Sequence, residues 1–346
     1  MNASTPSPAD HAPGTTPRTM RAVLQAAYGD PADVLRVGEV EVPTPRAEEV
    51  LVRVAASSVN PADLAVVTGR PGLVRLASGL RRPRRAVPGR DIAGVVAAVG
   101  PAVTGFRVGD EVYGEAGQAY AQFAVVAQSS LSRKPTNLTM AQAGTVPLAG
   151  LTAWQALARV QVQPGMRVLV NGASGGVGHF AVQVARAQGA EVTAVCSGGN
   201  AAMASQLGAA HVIDYRARDY TALGQQYDVI VDAVVSHPLA ETRRALAPAG
   251  AYLSVGTTPA TGPGEGGPLG PLPAMAGVAL RARSARPQRL VVVSATPNRG
   301  IAELTSLIEA GEVTPFVERT FPMAEVPAAL HALATHRTRG KIAITI

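Results

Sequence analysis

Only one of the 346 residues is a cysteine, Cys196, so neither a disulfide framework nor a multi-thiolate metal site can be assembled from this chain. Lysine is almost as scarce: Lys134 and Lys341 are the two lysines among 31 basic residues, and all the others are arginines. No run approaches the roughly 18 consecutive apolar residues that a membrane span needs, and the N-terminus lacks the apolar stretch of a secretory signal. A soluble, cytoplasmic protein with no membrane partner is expected. Residues 1–19 lack any apolar period and are rich in Pro, Ser, Thr and Ala. They cannot bury enough surface to offset their ordering entropy, so a disordered extension is expected before Met20.

The formal charge is +7, which raises the question of an acidic partner such as nucleic acid. Arginine is abundant together with alanine, glycine and proline, which reads as a compositional habit, and no nucleic-acid partner is expected. One cluster stands apart. Arg81, Arg82, Arg84 and Arg85 follow Arg70 and Arg75, and form either an anion-binding loop or a solvated one.

At 47% hydrophobic residues the chain is long enough for two domains with full cores. From Met20 the texture is short alternating or apolar runs (35–42, 50–55, 92–99, 111–113 and 120–126) broken by Gly and Pro, as in an antiparallel, partly closed β-domain over 20–146. From 147 to 313 apolar strands (167–170, 191–196, 211–214, 227–231, 251–255 and 290–295) alternate with helical stretches (179–188, 201–207). That alternation predicts crossover connections and a parallel sheet covered on both faces. Ile301, Leu304, Leu307 and Ile308 recur at helical spacing, with Gly311 placed to end the helix. The tail, 314–346, returns to β-texture and is expected to rejoin the first domain. The Gly- and Pro-rich stretch 258–273 reads as a loop over a cleft.

The chemistry-bearing segment is Asn171-Gly172-Ala173-Ser174-Gly175-Gly176-Val177-Gly178. It follows the apolar run 167–170 and opens a helical pattern. Strand, glycine turn and helix in that order place bare N–H groups and the positive end of a helix dipole where a pyrophosphate can sit. With Ala173, Gly175 and Gly178 as the three fingerprint positions, alanine replaces the first glycine. The same residues also satisfy G-x-S-x-G, a nucleophile elbow. That rival makes Ser174 a nucleophile, with Asp232 and His331 as partners in chain order, but it leaves the preceding β-domain unexplained. About twenty residues past the loop, where a carboxylate would bond the ribose of NADH, stand Cys196-Ser197-Gly198-Gly199-Asn200. NADPH is therefore expected, although no basic residue lies in that turn.

Arg21-Ala22-Val23, Ser58-Val59-Asn60-Pro61-Ala62-Asp63, Pro88-Gly89-Arg90-Asp91-Ile92-Ala93-Gly94, Val108-Gly109-Asp110-Glu111-Val112, Leu151-Thr152-Ala153-Trp154, the glycine loop and Arg339-Gly340-Lys341-Ile342 together resemble the medium-chain dehydrogenase/reductase superfamily. Within it the chain is similar to the zinc-independent quinone oxidoreductase (zeta-crystallin-like) branch. The resemblance implies an α/β protein with a GroES-like β-domain and a Rossmann, doubly wound parallel-sheet domain. In the zinc alcohol dehydrogenases of the superfamily a cysteine falls at Asn60, a histidine–glutamate pair at Arg90-Asp91 and a second cysteine near Leu148. Asn, Arg and one carboxylate cannot build a tetrahedral zinc site, and the six histidines show no ligand spacing, so no metal is expected.

Without a Lewis acid, alcohol oxidation is disfavoured, whereas hydride addition to a quinone or activated alkene needs only orientation and hydrogen bonds. The resemblance implies that Asn60 and Thr152 border the nicotinamide and substrate. It implies that Ser174, Gly175, Gly176, Val177 and Gly178 hold the pyrophosphate. Ser197, Asn200 and Tyr215 surround the adenosine end, Gly256 and Ser294 line the nicotinamide side, and Lys341 joins the cofactor contacts. Asp63 and Arg90 are catalytic, or they bond each other, or they stabilise the cleft wall. Three departures stand out. Gly198-Gly199 lack the expected phosphate partner, Val235 stands where relatives have glycine, and Pro71 falls at the proton-donating tyrosine of enoyl thioester reductases. The function expected is an NADPH-dependent, zinc-independent quinone or enone reductase, acting as a homodimer through the strand 290–295. The alternatives are a tailoring reductase of secondary metabolism and a non-catalytic RNA-binding or structural relative.

Overall fold

The structure is a computed structural model that describes residues 16–255, 272–281 and 287–346; the glycine and proline stretch 258–273 and Gly256 lie largely or wholly outside them. The first half carries seven strands: β1 (Thr19–Gln25), β2 (Leu35–Glu41), β3 (Glu49–Ser58), β4 (Asp91–Val99), β5 (Glu111–Glu115), β6 (Phe123–Ala127) and β7 (Leu131–Arg133). Alternation along β3 sets its two faces. Val50, Val52 and Val54 join Ile92, Val96 and Val112 in one core, while Leu51 turns the other way against Met20, Ala22 and Phe123. That period of two is what a strand packed on both sides requires.

The second half contributes β8 (Arg167–Asn171), β9 (Glu191–Cys196), β10 (His211–Asp214), β11 (Tyr227–Asp232), β12 (Leu246–Ser254) and β13 (Arg289–Val292). These six pair in the order β10-β9-β8-β11-β12-β13, and every pairing is parallel. The expected doubly wound sheet is present. Val168 and Val170 pack toward Phe180, Val182 and Val184 of the helix Gly178–Ala187. Leu169 between them faces Tyr220, Tyr227, Ile230 and Tyr252. Both faces are thus sealed, and each such fully buried aliphatic side chain contributes about 1.5–3 kcal/mol of transfer free energy.

The chain order reverses between β8 and β11, and ligands of open parallel sheets bind at the carboxyl end of the strands at such a switch. The chain closes with β14 (Val317–Pro322) and β15 (Lys341–Thr345). β15 pairs antiparallel with β3, setting Ala343 opposite Ser58 and Ile344 opposite Ser57, so the first residue of β15 arrives beside the end of β3. Some boundaries differ from the sequence reading. β1 already includes Thr19, and the strand expected over 290–295 ends at Val292 because Asn298, at φ 60°, lies in a turn that leads into the helix Ile301–Glu309.

Candidate functional site

The glycine loop leaves β8 at the switch point and enters the helix Gly178–Ala187. Its sharp turn lies at Gly172, with φ 81°, one residue before the first fingerprint position, Ala173. Ala173 is fully buried and donates its N–H to Val195 O at 3.0 Å, so an alanine there disturbs nothing. A Cβ on Gly178 would overlap the carbonyl of Gly172, which is why the helix can approach the strand only over glycine. Gly175 N–H is taken by Gly172 O at 3.0 Å. The N–H groups of Ser174, Gly176, Val177 and Gly178 have no acceptor among the described residues. A cluster of unpaired amides at the start of a helix is the donor set that a diphosphate satisfies.

His179, fully buried, holds the loop from below. Phe316 N–H donates to its Nε2 at 3.2 Å, which fixes Nδ1 as the donor to Gly175 O at 3.0 Å. Burial pushes its pKa down to about 4, so the ring stays neutral. This matches the structural role expected of the histidines.

In the turn after β9, Asn200 Nδ2 donates to Ser174 Oγ at 3.0 Å, which joins two sequence-predicted positions. Ser197 is half-buried beside them and Tyr215 is 56% exposed. Two charges escaped the sequence reading because they sit on the neighbouring strand rather than in the turn. A Cβ on Gly198 would come within 2.5 Å of Asp214 Oδ2, and Asp214 Oδ1 accepts Arg216 N–H at 3.0 Å. The exposed Arg216 guanidinium lies 5.8 Å from the Tyr215 ring.

The other half of the site is a polar knot inside the β-domain. Asn60 caps the helix Pro61–Thr68 and is 2% exposed. Its backbone N–H and its Nδ2 donate to Asp63 Oδ2 at 2.9 and 3.1 Å, and Nδ2 also donates to Asp91 Oδ2 at 2.9 Å. Its Oδ1 accepts from Lys341 Nζ. Asp91 Oδ2 further accepts from Ser58 Oγ at 2.6 Å and lies 3.6 Å from Lys341 Nζ, while Asp91 Oδ1 accepts Leu148 N–H at 2.9 Å. Burial, then the charge of Asp91, pushes the Asp63 pKa up to about 7. Burial pulls that of Lys341 down against the attraction of both carboxylates.

Lys341 is thereby committed to this knot, and only its stem, with Cδ 3.5 Å from where a Gly176 Cβ would stand, faces the glycine loop. Its neighbour Gly340 donates its N–H to Ser174 O at 2.7 Å. One short segment therefore ties the phosphate loop to Asn60. No sequence pattern announces a cluster whose members lie up to 283 positions apart.

Thr152 is nearly buried and its hydroxyl donates back to Leu148 O at 2.6 Å, inside the helix Pro147–Ala158. Asp63 and Arg90 are not bonded to each other: Arg90 pairs with Glu115 at 3.4 Å. Ser294 is exposed just after β13, next to Val293, whose N–H reaches Ser254 O at 2.9 Å. The nucleophile elbow finds no support. Ser174 Oγ is met by Asn200, Asp232 is occupied by Asn171, Tyr252 and the N–H groups of Val234 and Val235, and His331 is exposed on the helix Val326–Ala334.

Residues 46–136 match the alcohol dehydrogenase GroES-like domain and residues 207–344 match the zinc-binding dehydrogenase family. The chloroplast envelope quinone oxidoreductase homolog of Arabidopsis thaliana is 30% identical over 94% of this chain and 98% of its own. This chain belongs to the medium-chain dehydrogenase/reductase superfamily. It lies in the quinone oxidoreductase branch and is an oxidoreductase with a pyridine nucleotide cofactor. The NADPH-dependent alkenal/one oxidoreductase of the same plant is 30% identical over 96% of this chain and 81% of its own. The quinone oxidoreductase structure from Coxiella burnetii superposes with a TM-score of 0.80 at 26% identity, covering 95% of this chain and 99% of that one.

The zinc that some superfamily members hold does not fit here. Where its ligands fall, Asn60 Oδ1 and Asp91 Oδ2 face the Lys341 ammonium, and neither thiolate nor imidazole is among the partners. A buried cation belonging to the chain itself lies 3.6 Å from the Asp91 carboxylate at this place. The nucleotide does fit, on the unpaired amides of the glycine loop.

Proposed function

We propose that this protein is an NADPH-dependent reductase of quinones, enones or similar activated alkenes that works without zinc. The observation that carries the reading is the filling of the zinc place by Lys341, Asn60 and Asp91 beside an intact phosphate cradle. The nucleotide, when bound, supplies a hydride. The N–H groups of Ser174, Gly176, Val177 and Gly178 hold its diphosphate. Ser197, Asn200 and Tyr215 surround the adenosine end, where Arg216 offers a 2′-phosphate a cation against the repulsion of Asp214, which reaches the turn from β10.

Asn60 and Thr152 act by shape. Every polar atom of the Asn60 amide is engaged, and the Thr152 proton is spent on Leu148 O. Neither offers a proton to a substrate, so the proton that completes the reduction comes from water, the cofactor ribose or another side chain. We also propose a homodimer through β13, the outer strand of the parallel sheet, since an unpaired edge is a template for pairing with a second chain.

The test is NADPH oxidation with a panel of quinones and enones, before and after exhaustive dialysis against a zinc chelator. Turnover that disappears on chelation and returns with zinc removes the metal-free part of the reading. Absence of both turnover and cofactor binding by fluorescence removes all of it.

A further inference from the structure

The chain carries 31 basic and 24 acidic residues. Residues 64–90, the connection from the Asn60 helix to β4, contain seven arginines and no acidic residue, so the remainder of the chain is balanced at 24 of each. The whole net charge therefore resides in one surface segment. Two of the seven are engaged: Arg75 stacks over Tyr28 at 4.7 Å and Arg90 pairs with Glu115. Arg70, Arg81, Arg82, Arg84 and Arg85 are exposed, with no carboxylate in ion-pair range among the described residues.

The same segment exposes Leu73, Leu76 and Leu80, at 39%, 60% and 65%. Leu73 and Leu76 are three apart at the start of the helix Val74–Ser78 and so share a face. The segment is anchored: Tyr28 OH donates to Gly79 O at 2.6 Å and lies 2.8 Å from Ser78 Oγ, and Arg84 N–H donates to Ser78 O at 2.7 Å.

We propose that the connection 64–90 is a docking surface for an anionic lipid bilayer, with Leu76 and Leu80 entering the interface and Arg70, Arg81, Arg82, Arg84 and Arg85 lying on the headgroups. Aliphatic side chains among unpaired arginines match an interfacial segment, in which apolar burial and headgroup attraction add. Single-stranded nucleic acid is the weaker match, because residues 64–90 contain no Phe, Tyr or Trp on which a base can stack. No membrane span is needed, and no helix among the described residues is long and apolar enough to form one. The segment hangs between Asp63 and Asp91, so docking holds the polar knot's side of the molecule toward the lipid. This inference does not depend on the hydride-transfer reading.

The experiment is flotation of the full chain with vesicles of phosphatidylcholine alone and of phosphatidylcholine mixed with phosphatidylglycerol, at low and high salt. Binding only to the anionic vesicles, weakened by salt, is expected. Replacing Arg81, Arg82, Arg84 and Arg85 together by Ser should weaken partition at least about a hundredfold. Leu76→Ser with Leu80→Ser should weaken it about tenfold while leaving the salt dependence intact. Melting curves establish that the variants fold.

Equal binding to neutral vesicles, no binding at low salt, or an arginine variant that binds unchanged overturns the proposal. So does tighter binding to single-stranded RNA that is indifferent to the leucine pair. A dimer that becomes a monomer in the leucine variant assigns the surface to a second copy and also overturns it.

Discussion

The phosphate loop and the Asn60–Lys341 knot lie one residue apart at Gly340 and Lys341, yet they treat their polar groups in opposite ways. The loop leaves four N–H groups without acceptors. The knot uses every donor and acceptor of Asn60 and satisfies Asp91 four times over. Unpaired amides at a half-exposed helix start cost little, because water meets them until a ligand does. Unpaired charges in a site only 0–3% exposed cost several kcal/mol each. The difference separates the roles: the loop is built to bind and the knot is built to hold its shape. Substitutions in the loop should therefore register in affinity, and those in the knot in stability.

The largest effect is expected from Lys341→Met, which keeps the stem against Gly176 but removes the ammonium. Asn60 Oδ1 and two buried carboxylates lose their cation, and a destabilisation of about 3–5 kcal/mol by denaturant unfolding is expected. An unchanged unfolding midpoint would break the contrast. The opposite signature is expected of Gly176→Asp. Its Cβ meets only ordinary contacts, at 3.5 Å from Lys341 Cδ and 3.6 Å from Gly340 O, so the fold persists, but a carboxylate now faces the diphosphate. Cofactor affinity should fall at least about tenfold, or about 1.4 kcal/mol, in a fluorescence titration with little change in melting temperature.

Legibility in the sequence followed the same division. The loop and its sheet are local patterns: three apolar residues, a glycine turn and a helical period lie within 167–187, and each is visible without knowing what packs where. The knot gathers Asn60 with Asp63, Asp91, Leu148 and Lys341 from four segments, and only the return of β15 to β3 brings its cation in. Chain spacing cannot show that. The resemblance of Arg339-Gly340-Lys341-Ile342 alone makes Lys341 a cofactor contact; in the fold its stem faces the glycine loop and its ammonium joins Asn60 and Asp91. Asp214 was missed for a related reason: it reaches the Ser197–Asn200 turn across the β9–β10 pairing, not along the chain.

Val235 sharpens the loop side. It sits at φ 56°, a conformation that a β-branched residue adopts at a cost of about 1–2 kcal/mol. Asp232 Oδ1 holds it there by accepting its N–H at 2.8 Å. Val235→Gly should recover about 1 kcal/mol of stability, net of the added chain entropy of glycine. Stability unchanged or reduced would show that the side chain contributes packing that outweighs the strain.

Within the knot, Asp63 ionises near pH 7 in the folded state against 3.8 as its ordinary value. A raised carboxylate stabilises the fold below 3.8, and that contribution is lost as pH rises through 7. Asp63→Asn should remove this decline, so the melting temperature of the variant should gain on the parent between pH 4 and 7 and hold its gain above. A parallel pair of curves would mean that Lys341 already cancels the charge.

The smallest effect tests the adenosine end, where the two charges missed in the sequence oppose one another. In the proposed NADPH complex Arg216 would attract the 2′-phosphate and Asp214 repel it; both are near the surface, where single charge pairs are worth about 1 kcal/mol or less. Arg216→Ala should weaken NADPH about fivefold and leave NADH unaffected, while Asp214→Asn should shift the ratio of the two affinities the other way by a similar factor. Equal losses for both nucleotides in the arginine variant would place Arg216 against the adenine through Tyr215 rather than against the phosphate. The proposed 2′-phosphate preference would then rest on Ser197 and Asn200 alone.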